Sequence, residues 1–447
     1  MKKKLINMLS LVSLLCMSTC GKLTPPEPAE NSEAQNQSQT AVSDKTIPAA
    51  DVKEAPATEL DRLIADTKDK VELKLWVPDE DLEITQSLIE DFKAECEGAD
   101  LDITLEAKAE DDIYDTVSGD KAEVADVFGF RDALLPEYAA AGLLAEADSV
   151  YFNEDGYVLT KGAEKAVVYG EKTLAYPVSV YNGCFMYYDD AVLDESDMKS
   201  LEKMGEKLKA AGKKMAFEMD NAWYLYSFFG AEGSGLKLSI SSDEVSNECN
   251  WNEKVGEDIA NLIIDNVKNG VIEAVGSNSE AVEGFEKGKY AAMVSGPWSA
   301  EDIKGSVSGN LSATVLPTFR LGEHEVQMTS FAGYRLMGVN SSSGSSEWAK
   351  CLAEYLSSRN VQLKRYEAKG DCPAYLLTDA DSIVAGDTLT KALNAQSDHA
   401  VPLRIGINYY APAAMLGEAL ADGNTAGRSV KELLRKAVEG ITSEVME

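Results

Sequence analysis

From about residue 66 to its end, the chain alternates short strand-like runs with helix-length amphipathic stretches, and that alternation leaves few architectures open. Val71–Val77 puts apolar side chains at alternate positions, the period of a strand with one buried face, and Ile84, Leu88, Ile89 and Phe92 then fall on one side of a helix. Asp102–Ala109 and Ala125–Phe130 read as strands, followed by a helix from Pro136 to Leu144. Tyr176–Val180, Cys184–Tyr188 and Lys214–Met219 read as further strands. Helices are expected over 198–211, 221–230, 252–269, 278–287, 346–358, 386–396 and 428–445, with Ser429 capping the last. Strands interleaved with helices imply βαβ units and an α/β fold with parallel sheets. The region holds roughly 380 residues and a single core rarely grows past roughly 250–300, so two lobes are expected.

Ahead of it, Lys2, Lys3 and Lys4 precede an apolar run from Leu5 to Leu15 and the segment Met17-Ser18-Thr19-Cys20-Gly21. This is the pattern of an export leader, residues 1–19, cut before Cys20, which then carries a lipid. The apolar run is about half the roughly 20 residues that cross a bilayer, so a permanent transmembrane helix is the weaker reading. A secreted protein cut nearby is the alternative. Residues 20–65 are rich in Pro, Glu, Ala, Gln, Asn and Ser, with too little apolar surface to offset the entropy of ordering, and read as a disordered linker.

The formal net charge of -34 would repel phosphate backbones and anionic headgroups, which disfavours nucleic acid and attachment through a basic patch and favours a neutral ligand. With 76 acidic residues, paired carboxylates arise by chance and carry no message about glycoside chemistry. Beyond Cys20 the cysteines are Cys96, Cys184, Cys249, Cys351 and Cys372, widely spaced and odd in number. That argues for small buried hydrophobes, with one pair such as Cys351 and Cys372 open as a disulfide.

Catalytic signatures are sparse. The chain has no G-x-S-x-G, no H-E-x-x-H and no G-x-G-x-x-G after a strand. Gly284-Phe285-Glu286-Lys287-Gly288-Lys289-Tyr290 has the look of a phosphate loop, but its glycines are one residue too close and Tyr290 cannot ligate magnesium. It reads as a helix ending on glycine. His324 and His399, the two histidines, lie in polar surroundings, and neither metal ligation nor a cofactor is expected.

Aromatic residues beside polar groups at strand ends are more informative, because neutral sugars have apolar C–H faces and hydroxyl edges. Pockets of α/β proteins lie beyond the carboxyl ends of strands. Phe130 with Asp132 ends one strand, Asp220-Asn221-Ala222-Trp223-Tyr224-Leu225-Tyr226 follows another, and Ser295-Gly296-Pro297-Trp298 follows Tyr290–Val294. Any one of these rings could equally be core.

Taken together, the segments resemble the maltose-type family of extracellular solute-binding proteins that feed ABC importers. The run Gly284 to Trp298 is similar to that family's helix, strand and binding tryptophan, and Tyr138-Ala139-Ala140-Ala141-Gly142-Leu143-Leu144, Tyr176-Pro177-Val178, Thr314-Val315-Leu316-Pro317 and Phe331-Ala332-Gly333 support it. The resemblance implies a two-lobe periplasmic-binding-protein-like fold (type II), with crossover strands near Pro177–Ser179 and Thr329–Tyr334. One lobe would hold 66–178 plus about 332–380, and the other 179–331 plus about 381–447. It also implies a ligand set: Phe130, Trp223 and Trp298 as stacking rings, Tyr410 or neighbouring Tyr409 as a last ring, and Asp79 and Glu80 after the first strand. Tyr181 or Asn182 stands where the family has a hinge-side carboxylate, Asn221 replaces another, and Asp132 lies beside the positions of an Asp-Arg pair, here Ala133 and Leu134. The implied activity is capture of malto-oligosaccharides by a lipid-anchored monomer at the outer face of the cell membrane, for delivery to ABC permease subunits, without catalysis or cofactor. A galacto- or xylo-oligosaccharide ligand, a polysaccharide hydrolase or lyase, and a sensor or adhesin role are the alternatives.

Overall fold

The computed structural model describes residues 58–117, 123–148, 151–152, 157–240, 246–303 and 311–444. The expected leader, Cys20 and most of the expected linker lie outside them. In chain order, the strands of the two main sheets are β1 (Val71–Val77), β2 (Leu101–Ala107), β3 (Val127–Arg131), β4 (Tyr176–Gly183), β5 (Phe185–Asp189), β6 (Lys214–Phe217), β7 (Ile272–Ala274), β8 (Tyr290–Ser295), β9 (Leu311–Thr314), β10 (Ser330–Val339) and β11 (Ala400–Pro402).

The first sheet runs β11-β10-β3-β1-β2, with β4 also paired to β10. Its β1–β2 and β1–β3 pairs are parallel, whereas β10 lies antiparallel to both β3 and β4. The second sheet runs β7-β6-β8-β5-β9, parallel from β7 to β8 and antiparallel beyond. Chain order and sheet order therefore disagree in an instructive way. The chain leaves the first sheet after β4, builds the second, returns in β10, and comes back once more in β11 before ending in the helices Tyr410–Ala421 and Val430–Ile441. Ala400–Pro402, inside the stretch expected to belong to the second lobe, pairs with Ser330–Ala332 of the first sheet. The helix Thr388–Ser397 packs on β4 and β5, and so on both sheets.

The apolar stripes behave as their spacing predicts. Helix Leu82–Glu95 buries Leu88, Ile89 and Phe92 against Leu73, Leu75 and Val77 of β1 in one core cluster. A second cluster fills the far lobe around Trp251, Phe228 and Phe229. The expected linker ends earlier than read, because Glu59–Asp66 is helical. Thr58 and Asp61 form a reciprocal capping box, Leu60, Leu63 and Ile64 pack on the core, and Trp348 Nε1 donates to Thr67 Oγ1 at 2.9 Å. The proposed Cys351–Cys372 bond is not formed: both thiols are free and lie in different core clusters.

Candidate functional site

Strands β6 and β8 are parallel neighbours, so the loops after their carboxyl ends lie side by side. The loop after β6 carries Glu218 and Asn221. Asn221 caps the helix Ala222–Phe229 by accepting from Trp223 N at 3.0 Å, while its Nδ2 donates to Glu218 Oε1 at 3.0 Å. Burial raises the Glu218 carboxyl above its ordinary range, and Asp220 beside it adds to that against the Asn221 hydrogen bond. The loop after β8 carries Trp298. Its ring meets that of Trp223 edge-on, with centroids 5.7 Å apart and planes at 63°, and both rings are half-buried.

Gly296 makes this placement possible. A Cβ there would lie 2.2 Å from Trp298 Cη2 and 2.5 Å from the Gly183 carbonyl oxygen, so any other residue would collide with the ring and with the end of β4. The tryptophan pair consequently sits against the segment where the chain passes between the sheets. Tyr410 begins the last-but-one helix beside Tyr409, whose hydroxyl donates to Ala222 O at 2.6 Å, which ties that half-buried ring to the same region.

On the first sheet, Asp79 and Glu80 are exposed in a tight turn after β1, and Glu80 Oε1 accepts from Arg335 Nη2 at 3.0 Å. Tyr181 is 37% exposed, with the Arg335 guanidinium 5.6 Å from its ring centroid. Asn182 is half-buried opposite Gly333. Asp81, next to Glu80, is buried. Burial would raise its carboxyl, but Arg365, Lys369 and Arg335 outweigh that and hold it below its usual value. Arg365 Nη1 lies 3.6 Å from Asp81 Oδ2.

Two expected ligand residues are corrected. Phe130 is 1% exposed and its ring packs on Tyr138 at 5.1 Å and Phe128 at 5.7 Å, so it is core and offers no stacking face. Strand period decides this: Phe128 and Phe130 share the face covered by the helix Leu135–Ala140, and Arg131 takes the other. Asp132 is 2% exposed, and its Oδ1 accepts from Tyr334 N at 2.8 Å, pinning β10 to the end of β3. Burial pushes its carboxyl up to about 6, against the pull of that hydrogen bond and of Arg404, and Oδ2 has no hydrogen-bond partner.

Glu218 and Arg335 escaped the sequence reading. Each had a signal: Glu218 directly follows β6, and Arg335 is the one charged residue in the run Ser330–Val339, which is mostly apolar. Among the described residues no group of three or more His, Cys, Asp or Glu side chains is placed to hold a metal ion, and no helix is long and apolar enough to cross a membrane.

The profile of the bacterial extracellular solute-binding proteins matches residues 87–391, and the chain belongs to that family. A galactooligosaccharide-binding protein of Bacillus subtilis (strain 168) is 26% identical over 242 residues, 52% of this chain and 56% of that protein. A maltooligosaccharide ABC transporter solute-binding lipoprotein of Streptococcus pneumoniae serotype 4 is 24% identical over 280 residues, 58% of this chain and 65% of that protein. The matched stretch thus spans between half and two thirds of these relatives. Among solved structures, a maltodextrin-binding protein of L. casei BL23 superposes with a TM-score of 0.65 at 22% identity, over 84% of this chain and 100% of that one. An extracellular solute-binding protein from Staphylococcus aureus in complex with maltose gives 0.67 at 21%, over 84% and 98%. The fold is that of the two-lobe binding proteins.

Proposed function

We propose that this protein binds a neutral oligosaccharide between its lobes for an ABC importer, with malto-oligosaccharides the first ligand class. The observation that carries the reading is the Trp223–Trp298 pair beside Asn221 and Glu218, at the ends of two parallel strands and against the interlobe segment. Flat rings take the C–H faces of a pyranose while amide and carboxylate groups take its hydroxyls. In this reading the first lobe supplies Glu80, Tyr181 and Asn182, with Asp79 beside them. A ligand touching both lobes binds the closed form better than the open one, and that difference drives closure. Tyr410 would extend the platform along a longer chain.

Export with a lipid on Cys20 and delivery to permease subunits complete the reading, supported by the leader pattern and by the similarity to a pneumococcal lipoprotein of an ABC transporter. Similarity to the Bacillus protein favours galacto-oligosaccharides as the second ligand class. Calorimetric titration of residues 58–447 with maltose, maltotriose, maltotetraose and matched galacto- and xylo-oligosaccharides tests it. Saturable binding without hydrolysis is the expected result. Release of shorter sugars would overturn the binding-protein reading in favour of a hydrolase.

A further inference from the structure

Arg335 belongs to no part of the ligand set expected from the sequence, yet it touches two members of that set. It lies on β10 directly opposite Arg131 of β3, so the two guanidinium groups leave the same face of the sheet. On its other side β10 pairs with β4, and there the register slips twice. Val180 and Asn182 face consecutive residues of β10, Tyr334 and Gly333, leaving Tyr181 as an extra residue. Ser179 and Pro177 likewise face Arg335 and Leu336, leaving out Val178. Arg335 is thus flanked by two β-bulges, the device by which strands re-aim side chains.

The first bulge has a visible effect. Gly333 has no side chain, and a Cβ there would lie 2.7 Å from Tyr181 Cζ, so the Tyr181 ring lies over Gly333 and beside the guanidinium. In the other direction Arg335 reaches past β3 to Glu80, and it lines a small recess with Pro78, Asp81, Gly129, Val178 and the edge of the otherwise buried Phe130. Glu80, Arg131, Arg335 and Tyr181 therefore form a row contributed by the turn after β1 and by β3, β10 and β4, with β1, β3, β10 and β4 successive neighbours in the sheet. Glu80 keeps 57% of its side chain exposed and Arg335 26%, so the row is open to a ligand while its members hold one another in place.

We propose that Arg335 is a specificity-determining residue of the first lobe, forming with Glu80 and Tyr181 a subsite for two adjacent hydroxyls of one pyranose. This rests on the carbohydrate reading above and assigns the first lobe the contact that the buried Phe130 does not make. The guanidinium is a planar fork of donors matched to two neighbouring hydroxyl oxygens, Glu80 accepts from a hydroxyl hydrogen, and Tyr181 offers a partly exposed ring.

The test is titration of wild type, R335M, R335K and E80Q with maltotriose, or with the galacto-oligosaccharide of equal length if that is what binds, alongside analogues lacking single hydroxyls. R335M and E80Q are expected to weaken binding roughly 10- to 100-fold, the range for hydrogen bonds to charged groups, with R335K recovering only part. At least one deoxy analogue should lose affinity on wild type and lose none on R335M, a coupling that a merely structural arginine would not produce. Melting curves without sugar report folding, and E80Q, altered at an exposed side chain, decides if R335M does not fold. Affinity within twofold of wild type for E80Q and for a folded R335M overturns the subsite. A wild-type chain that binds no saccharide overturns the carbohydrate reading, and this one with it.

Discussion

Asp132→Asn is the substitution with the most definite expected outcome. Asp132 is buried, one carboxylate oxygen accepts from Tyr334 N at 2.8 Å, and the other has no hydrogen-bond partner. Burial lifts its carboxyl to about 6 in the folded protein, against 3.8 for an ordinary aspartate. The gap is about two units, and at about 1.36 kcal/mol per unit it amounts to about 3 kcal/mol. The sign follows from which state holds the proton more tightly. The folded state does, so the contribution is fully present below about pH 4 and is lost as pH rises from about 4 through about 6. Asparagine keeps the acceptor for Tyr334 and carries no charge, and its amide nitrogen, placed where Oδ2 has no hydrogen-bond partner, adds a cost that does not change with pH. The stability difference between variant and wild type should therefore move by about 3 kcal/mol in the variant's favour between pH 4 and pH 8. Urea unfolding of both proteins across that range measures it, and the other carboxylates cancel in the difference. A difference that stays flat with pH would show that Asp132 titrates normally and would refute the burial argument.

Trp298→Ala should weaken oligosaccharide binding by about 1–3 kcal/mol in a calorimetric titration, and unchanged affinity removes that ring from the site. Gly296→Ala should cost about 1–3 kcal/mol of stability and lower sugar affinity as well, because its Cβ meets both the Trp298 ring and the rigid Gly183 carbonyl. A melting temperature and an affinity both equal to wild type would show that the contact relaxes freely. Cys20→Ala should release the protein from membranes with ligand affinity unchanged, and metabolic labelling that still finds lipid on the variant would place the anchor elsewhere.

Elements with their own periodicity were legible. The stripe of Leu88, Ile89 and Phe92, the strand Val71–Val77 and the Ser429 cap, which accepts from Glu432 N at 3.4 Å, all follow from local rules. Helices without a clean apolar stripe were not. Arg359–Lys369 buries Gln362 and Arg365 along with Val361, so its inner face does not look apolar, and Tyr410–Ala421 is apolar on most sides with no side-chain cap at its start. In the candidate site, Trp223 and Trp298 were readable because each follows a strand. Phe130 was expected at a strand's end by similar reasoning, yet it lies within β3 and is core. One residue of strand register separates a ring that faces a ligand from one that faces Tyr138, and linear spacing does not reveal which face a neighbouring helix covers.

Local period, composition and length made the alternating α/β character, the two-lobe scale, the expectation of an export leader over residues 1–19, the strongly acidic charge and the tryptophans that follow strand ends readable from the chain alone. The tertiary structure decided the rest. It set the return of β10 and β11 to the first sheet, the burial of Phe130 and Asp132, the meeting of Trp223 with Trp298, and the reach of Arg335 to Glu80, 255 residues away in the chain. These depend on which faces are covered and which distant strands become neighbours, and both are fixed only when the whole chain packs.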